Sequence, residues 1–330
     1  MSEVHCFTSA SFAYLDRVRV LAETLALYQP TWKLHLCLVD QEPEGFVFDP
    51  ATELLESVVR VEDLGIPDLR QWMFQHDIIE ACTAVKGKML LHLFDMGCEK
   101  VIYFDPDIAL FSEVNELSSL LDRHNVLLTP HQTDPADDMA SIQDNEIGSL
   151  KWGIYNLGFL AVANTAEGRR FAEWWWSRLR HFCVDDVPAG LFTDQKWCNH
   201  VPSLFDGVHI LRDPGYNVAC WNIAQRPLSV SETGQILAKE RPLRFFHFTK
   251  VNHVGERQLE KYCRGNTIVF ELLEWYRDRL KVNSAFGLPE RWWAYNCYED
   301  GTHIAKNDRL VYRGDASLKE RKPDPFAGLS

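Results

Sequence analysis

Short apolar runs alternate with helically spaced stripes along the first hundred residues. "VHCFTSA" (4–10) is a nearly unbroken apolar run closed by small polar residues, the pattern of a buried strand. Leu15, Val18, Ala22 and Leu25 then recur at helical spacing, while Asp16, Arg17, Arg19 and Glu23 fall mostly on other faces. "KLHLCLVD" (33–40) reads as a second strand, so the chain opens β-α-β, with parallel pairing and a right-handed crossover. "SVVRVEDLGI" (57–66) predicts a third strand, and residues 67–96 a helical region broken near Gly87. "KVIYFD" (100–105) returns to strand pattern.

Further along, "TPHQTD" (129–134) follows another strand, and "YNLGFLAVAN" (155–164) is an apolar run interrupted by Asn156 and Gly158. Asn164 as cap and Glu167 three residues on predict a helix start. Phe171, Trp174, Trp175, Leu179 and Phe182 form its apolar stripe. Successive helix positions turn by about 100°, so the triple Trp174–Trp176 cannot all face one core. In "FTDQKWCNH" (192–200) Thr193 or Asp194 reads as a helix cap. "LRFFHFTK" (243–250) is an aromatic strand whose His247 reads, on pattern alone, as a hydrogen-bonded core histidine. The whole is an α/β chain with a mixed, mainly parallel sheet.

Size and composition are those of a globular protein: 330 residues, 46% hydrophobic and 25% charged. No repeat or linker interrupts it before about residue 280, so 1–275 reads as one main domain. Residues 276–330, with "RWWAYN" and "ERKPDPFAGLS", read as an extension packed on it with a frayed end. A net charge of −13 argues against nucleic acid and against general adsorption to anionic lipid, leaving at most peripheral membrane contact. Nine cysteines, without a C-x-x-C pair and several inside apolar runs, indicate reduced, buried thiols and a cytoplasmic location. Neither a signal-peptide pattern nor a run of ~20 apolar residues is present.

Chemistry enters at "VIYFDPDI". Alternate residues of an extended segment share a side, so Asp105 and Asp107 stand together where a strand ends. Pro106 has no N–H and stops the ladder. Open α/β sheets bind ligands at the carboxyl ends of their strands. Two adjacent carboxylates there repel unless a proton or cation bridges them, and a hard divalent ion does so with positions left for phosphate oxygens. The competing reading is a simple turn, for which Asp-Pro-Asp is good chemistry.

Taken together, "VIYFDPDI", "YNLGFLAV", "TDQKWCN" and "FHF" resemble, in order and spacing over residues 4–255, the retaining glycosyltransferases of family 8. The resemblance implies a GT-A fold and transfer of a sugar from a nucleotide-sugar donor to a glycan or lipid-linked acceptor. It implies that Asp105, Asp107 and His247 hold Mn²⁺, with Mg²⁺ the second choice. Asn156 and Asp194 would hold the donor sugar, and Gln195 would sit beside its anomeric carbon. Thr8, Ser9 and Ala10 would flank the nucleobase, and Lys88 would stand where the family has a donor-contacting Arg. Phe104, Pro106, His131 and Gly158 complete the substrate-facing set, with Lys250 or His253 on the diphosphate.

The departures are local. Lys250 stands at the family's glycine, His253 near its usual lysine, and "RDPGYNVACWNIAQR" (212–226) has no close counterpart in the best-known members. Tyr216, Asn217, Trp221 and Asn222 in it suit either a pocket wall or loop packing. A sugar nucleotidyltransferase would carry a basic, glycine-rich loop after the first strand, and "FTSASFAYLD" has none. A sugar-nucleotide-binding scaffold without turnover is the other alternative.

Overall fold

The computed structural model describes residues 3–250 and 254–329. The β-α-β opening is β1 (Val4–Ala10), α1 (Leu15–Tyr28) and β2 (Lys33–Leu38). β3 (Ser57–Arg60) is shorter than the pattern suggests, because a 3₁₀ turn takes over at Val61 and Gly65 closes it with φ of +63°. The helical region breaks twice: before Asp77, which caps Ile78–Ala84 in a reciprocal box with Glu80, and at Val85, two residues before Gly87 as expected. Gly87 lies inside α2 (Lys86–Asp95), where a Cβ would meet the Trp176 backbone nitrogen at 2.8 Å. That glycine brings α2 against the tryptophan helix.

The chain continues through β4 (Lys100–Phe104), β5 (Ile108–Leu110), β6 (Val126–Pro130), β7 (Tyr155–Ala163) and α3 (Ala166–Phe182). Thr165, not Asn164, caps α3: its hydroxyl accepts from Gly168 N at 3.0 Å. The Asn164 amide instead ties down the carbonyls of Phe94 and Cys98, and Glu167 pairs with Arg170. As helix geometry requires, Trp175 is buried while Trp174 and Trp176 are half-exposed. Phe182, expected in the stripe, sits exposed at the helix end.

With β8 (Val208–Ile210), these strands form one seven-stranded sheet ordered β8-β6-β7-β4-β1-β2-β3. β7 runs antiparallel to both neighbours and the other pairings are parallel. A second, three-stranded sheet joins β9 (Val218–Ala219), β10 (Phe245–His247) and β5. The two sheets meet where β4 leaves one and β5 enters the other.

The C-terminal boundary moves. α4 (Thr267–Val282) runs straight through residue 275, so the extension starts after it. Its described residues are packed: helices Lys306–Gly314 and Ala316–Arg321 form, and buried Phe326 meets Phe74 edge-on at 5.1 Å. Its tryptophans reach back to the start of the chain. Trp292 and Trp293 donate to the carbonyls of Gln41 and Val39, and Ala294 N donates to the buried Asp40 carboxylate at 2.8 Å. Asp40 also accepts from Phe12 N at 3.0 Å, so one carboxylate ties the ends of β1 and β2 to the extension.

Candidate active site

The site grows out of the junction between the sheets. Pro106 ends β4, Asp105 N donates to Gly158 O at 2.8 Å, and Ile108 N closes a turn onto Asp105 O at 3.1 Å. Asp-Pro-Asp is therefore a turn, and the turn aims both carboxylates the same way. β10 pairs antiparallel with β5, setting His247 opposite Ile108 and beside Asp107. His247 Nε2 lies 3.0 Å from Asp107 Oδ1 and 3.5 Å from Asp105 Oδ2. One ligand atom from each of the three residues falls within 4.8 Å of the others. His247, read as a core residue on pattern alone, belongs to this cluster.

A hard cation suits this donor set. Burial by itself lowers the His247 pKa, but the Asp107 and Asp105 carboxylates outweigh it and raise the value. Burial pushes Asp107 up, and His247 pulls it below the usual carboxylate range. Two carboxylates set against an imidazole form a donor set that a proton or a divalent ion can bridge. His247 Nδ1 and Asn156 Nδ2 are buried without a partner among the described residues. The Asn156 side-chain Oδ1 accepts from Gly158 N at 3.0 Å. These are two unspent polar atoms at the base of the cluster.

Lys86 is the cation that sequence reading missed. Its ammonium lies 2.8 Å from Asp194 Oδ2, 3.1 Å from Asp105 Oδ1 and 3.3 Å from Leu157 O, over the Tyr103 ring. The Tyr103 hydroxyl donates to the same Asp105 oxygen. Burial disfavours charge on Lys86, yet Asp105 and Asp194 together raise its pKa well above the ordinary value. Burial also raises Asp194, which Lys86 pulls back only in part. Side-chain exposure separates the roles: Lys86 and Asp194 are 5% exposed, Asp105 and Asp107 24% and 17%. The former are the frame and the latter face outwards.

The remaining expected residues divide. Gln195 is half-exposed at the rim, its Nε2 donating to Trp152 O and its Oε1 accepting from Leu157 N. Neither Thr193 nor Asp194 caps a helix through its side chain: Thr193 is left-handed with φ of +41°, and Asp194 is spent on Lys86. His131, at the end of β6, is buried against Ile154 O, and burial lowers its pKa to about 4. Phe104 packs between Phe159 and Phe245 in the core. Pro106 shapes the turn and is buried.

Thr8, Ser9 and Ala10 are buried rather than lining an open surface, and the Ser9 hydroxyl donates to Cys82 O. Lys88 is two positions from Lys86, hence about 200° round the helix, and makes no ion pair among the described residues. Lys250 is exposed with φ of +51°, its ammonium 6.0 Å from the Trp221 ring. His253 lies outside the described residues. Tyr216, Asn217 and Asn222 are buried in loop packing, leaving only Trp221 of that group half-exposed. Asp134 is on the surface with Lys239. The signal for Lys86 was Gly87: a glycine inside a helix marks the face against a neighbour and so fixes where the flanking lysines point.

No family model matches the chain. It is 25% identical over 273 residues to the uncharacterized protein YfnD of Bacillus subtilis (strain 168), covering 78% of this chain and 81% of YfnD. YfnF of the same strain is 25% identical over 194 residues, covering 56% of this chain and 61% of YfnF. Among solved structures, the galactosyltransferase LgtC in complex with donor and acceptor sugar analogs overlaps 88% of this chain and 98% of its own, with a TM-score of 0.47 and 15% identity. Mouse xyloside xylosyltransferase 1 overlaps 77% and 99%, with a TM-score of 0.42 and 13% identity. A glycosyltransferase involved in glycosylation of the major capsid of PBCV-1 overlaps 79% and 98%, with a TM-score of 0.38 and 9% identity. At scores below 0.5 no activity transfers from one to the other, and the chemistry must come from the side chains.

Proposed function

We propose that this chain is a GT-A glycosyltransferase of the family 8 kind. It would move a hexose from a UDP-type donor to a hydroxyl of a glycan or lipid-linked saccharide, with retention of anomeric configuration. The observation that carries the reading is the meeting of Asp105, Asp107 and His247, from strands far apart in sequence, at the carboxyl edge of the sheet. Two carboxylates and an imidazole fit Mn²⁺, with Mg²⁺ second. Such an ion, when bound, would supply positive charge to a departing diphosphate.

The protein's own groups do the rest. Lys86 fixes Asp105 and Asp194 in one geometry, so the cluster need not reorganise when substrate arrives. Asn156 Nδ2 is a buried donor held in reserve for a sugar or phosphate oxygen. Gln195 is an amide and a poor nucleophile, and both ends of that amide are tethered to backbone. Retention therefore favours front-face attack. The acceptor oxygen bonds to the anomeric carbon, the bond to the diphosphate breaks, and the acceptor proton passes to the leaving diphosphate oxygen. Among the described residues no helix is long and apolar enough to cross a membrane. A cytoplasmic site of action, with at most peripheral membrane contact, is part of the same proposal.

Turnover of a panel of UDP-sugars with and without Mn²⁺, with the product anomer read by NMR, tests the reading. Metal-dependent release of UDP and a retained anomer are expected. An inverted product removes the front-face mechanism, and binding without turnover across the panel leaves a scaffold.

A further inference from the structure

Beside the acidic cluster stands a guanidinium that the proposed chemistry has not used. Leu110 N donates to the Thr24 hydroxyl at 3.2 Å, joining α1 to β5. Arg17 lies seven residues, or two turns, before Thr24 on the same helical face, about 10 Å back along the axis. Asp107 lies three residues, also about 10 Å, before Leu110. Helix and strand run the same way: Val20 packs with Ala109 in one apolar cluster, and the charges of Arg17 and Asp107 act on each other. Arg17 and Asp107 are therefore level.

The guanidinium is half-exposed and set in place. It lies 4.5 Å from the centre of the Tyr14 ring, and its Nη1 donates to Asp16 Oδ1 at 3.1 Å. Nε and Nη2 have no partner among the described residues. A second unspent donor comes from α4. Tyr276 is buried, its ring stacked on Phe248 at 3.9 Å, and Phe248 N donates to Asp107 O. The Tyr276 hydroxyl is buried without a partner, within electrostatic reach of Asp107 and Arg17. A guanidinium fork and a phenol O–H, both beside Asp107, are donors suited to an oxyanion.

We propose that Arg17 and Tyr276 form an oxyanion site flanking the Asp105–Asp107–His247 cluster, taking a phosphate oxygen of the donor's diphosphate. The proposal rests on the nucleotide-sugar reading for the identity of the anion, but not for the existence of the site. Arg17 would be a cation additional to Lys250, since Lys86 is committed to Asp105 and Asp194.

Calorimetric titration of the full chain and its Arg17→Gln, Arg17→Lys and Tyr276→Phe variants tests it, with Mn²⁺ alone, UDP plus metal, uridine plus metal, and pyrophosphate plus Mg²⁺. Arg17→Gln should weaken UDP and pyrophosphate at least tenfold and leave uridine unchanged. It should also leave Mn²⁺ alone equal or tighter, because a cation has been removed from beside Asp107. Tyr276→Phe should weaken UDP several-fold, and Arg17→Lys should recover part of the loss. UDP affinity within twofold of wild type in Arg17→Gln overturns the site. So does a parallel loss of Mn²⁺ and UDP, which would mean that Arg17 only holds Asp107. Pyrophosphate binding that depends on Arg17 without any UDP binding keeps the site and removes the nucleotide. A wild-type chain that binds neither anion removes both.

Discussion

Gly158 and His247 are packed so closely that no side chain fits between them. A Cβ built at position 158 would stand 2.4 Å from His247 Nδ1 and 2.5 Å from Cε1. The break in the apolar run of β7 is thus clearance for an imidazole from another sheet. Gly158→Ala should push His247 off the acidic pair. The expected outcome is at least a tenfold loss of Mn²⁺ affinity and a stability loss of about 1–3 kcal/mol from overpacking. Calorimetry and urea unfolding check both, and unchanged Mn²⁺ affinity would show that His247 is not a ligand.

Lys86→Met would leave Asp105 and Asp194 sharing no cation, with Asp194 fully enclosed. Removing one partner of a buried ion pair costs about 3–5 kcal/mol. Lys88→Met, on a face without an ionic partner, should cost about 0.5 kcal/mol or less. Urea unfolding of the two variants under one set of conditions compares them directly. Equal effects would dissolve the assignment of Lys86 as the frame of the site.

Lys250 occupies a left-handed backbone conformation, with φ of +51°, that costs a non-glycine residue about 1–2 kcal/mol. Strain of this kind persists where a side chain is used. Lys250→Gly should therefore stabilise the protein by about 0.5–1 kcal/mol, after the entropy that glycine adds to the unfolded chain. It should weaken UDP binding at the same time. A gain in thermal stability with undiminished UDP affinity would take Lys250 out of the diphosphate site.

Burial raises the Asp40 pKa to about 7, against the opposing hydrogen bonds from Ala294, Phe12 and Gln41. The folded state then holds the Asp40 proton more tightly than the unfolded chain does. Its contribution is present below pH ~4 and is lost as pH rises through about 7. Buried His35 and His131, each lowered to about 4, act in the opposite sense, losing stability as pH falls below ~6.5. Subtracting the pH–stability profile of Asp40→Asn from that of wild type isolates the first effect. The difference should change between pH 4 and 7 and be flat above; a flat difference throughout would place Asp40 at an ordinary pKa.

Much of this architecture was legible because the sheet is buried on both faces, which turns its strands into short apolar runs with polar stops. The turn at Pro106 and the pairing of Asp105 with Asp107 follow from local chemistry alone. His247 does not: between two phenylalanines it has the pattern of a core residue, and only the pairing of β10 with β5 carries it to Asp107. Lys86 and Arg17 were hidden for a different reason. On an amphipathic helix a charged residue reads as solvent-facing, and which one turns inward depends on rotation against neighbours. For Lys86 that rotation is set by Gly87 against Trp176, and for Arg17 by Thr24 against Leu110. The helical content of the extension was masked by its prolines and mixed charge, while its docking depends on single aromatics such as Phe326.

The hydrogen bonds that residues 292–294 send to residues 39–41 invert the order of manufacture. The carboxyl ends of β1 and β2 receive these partners only after the roughly 250 intervening residues have been synthesised. A sheet edge is thus completed long after it is made.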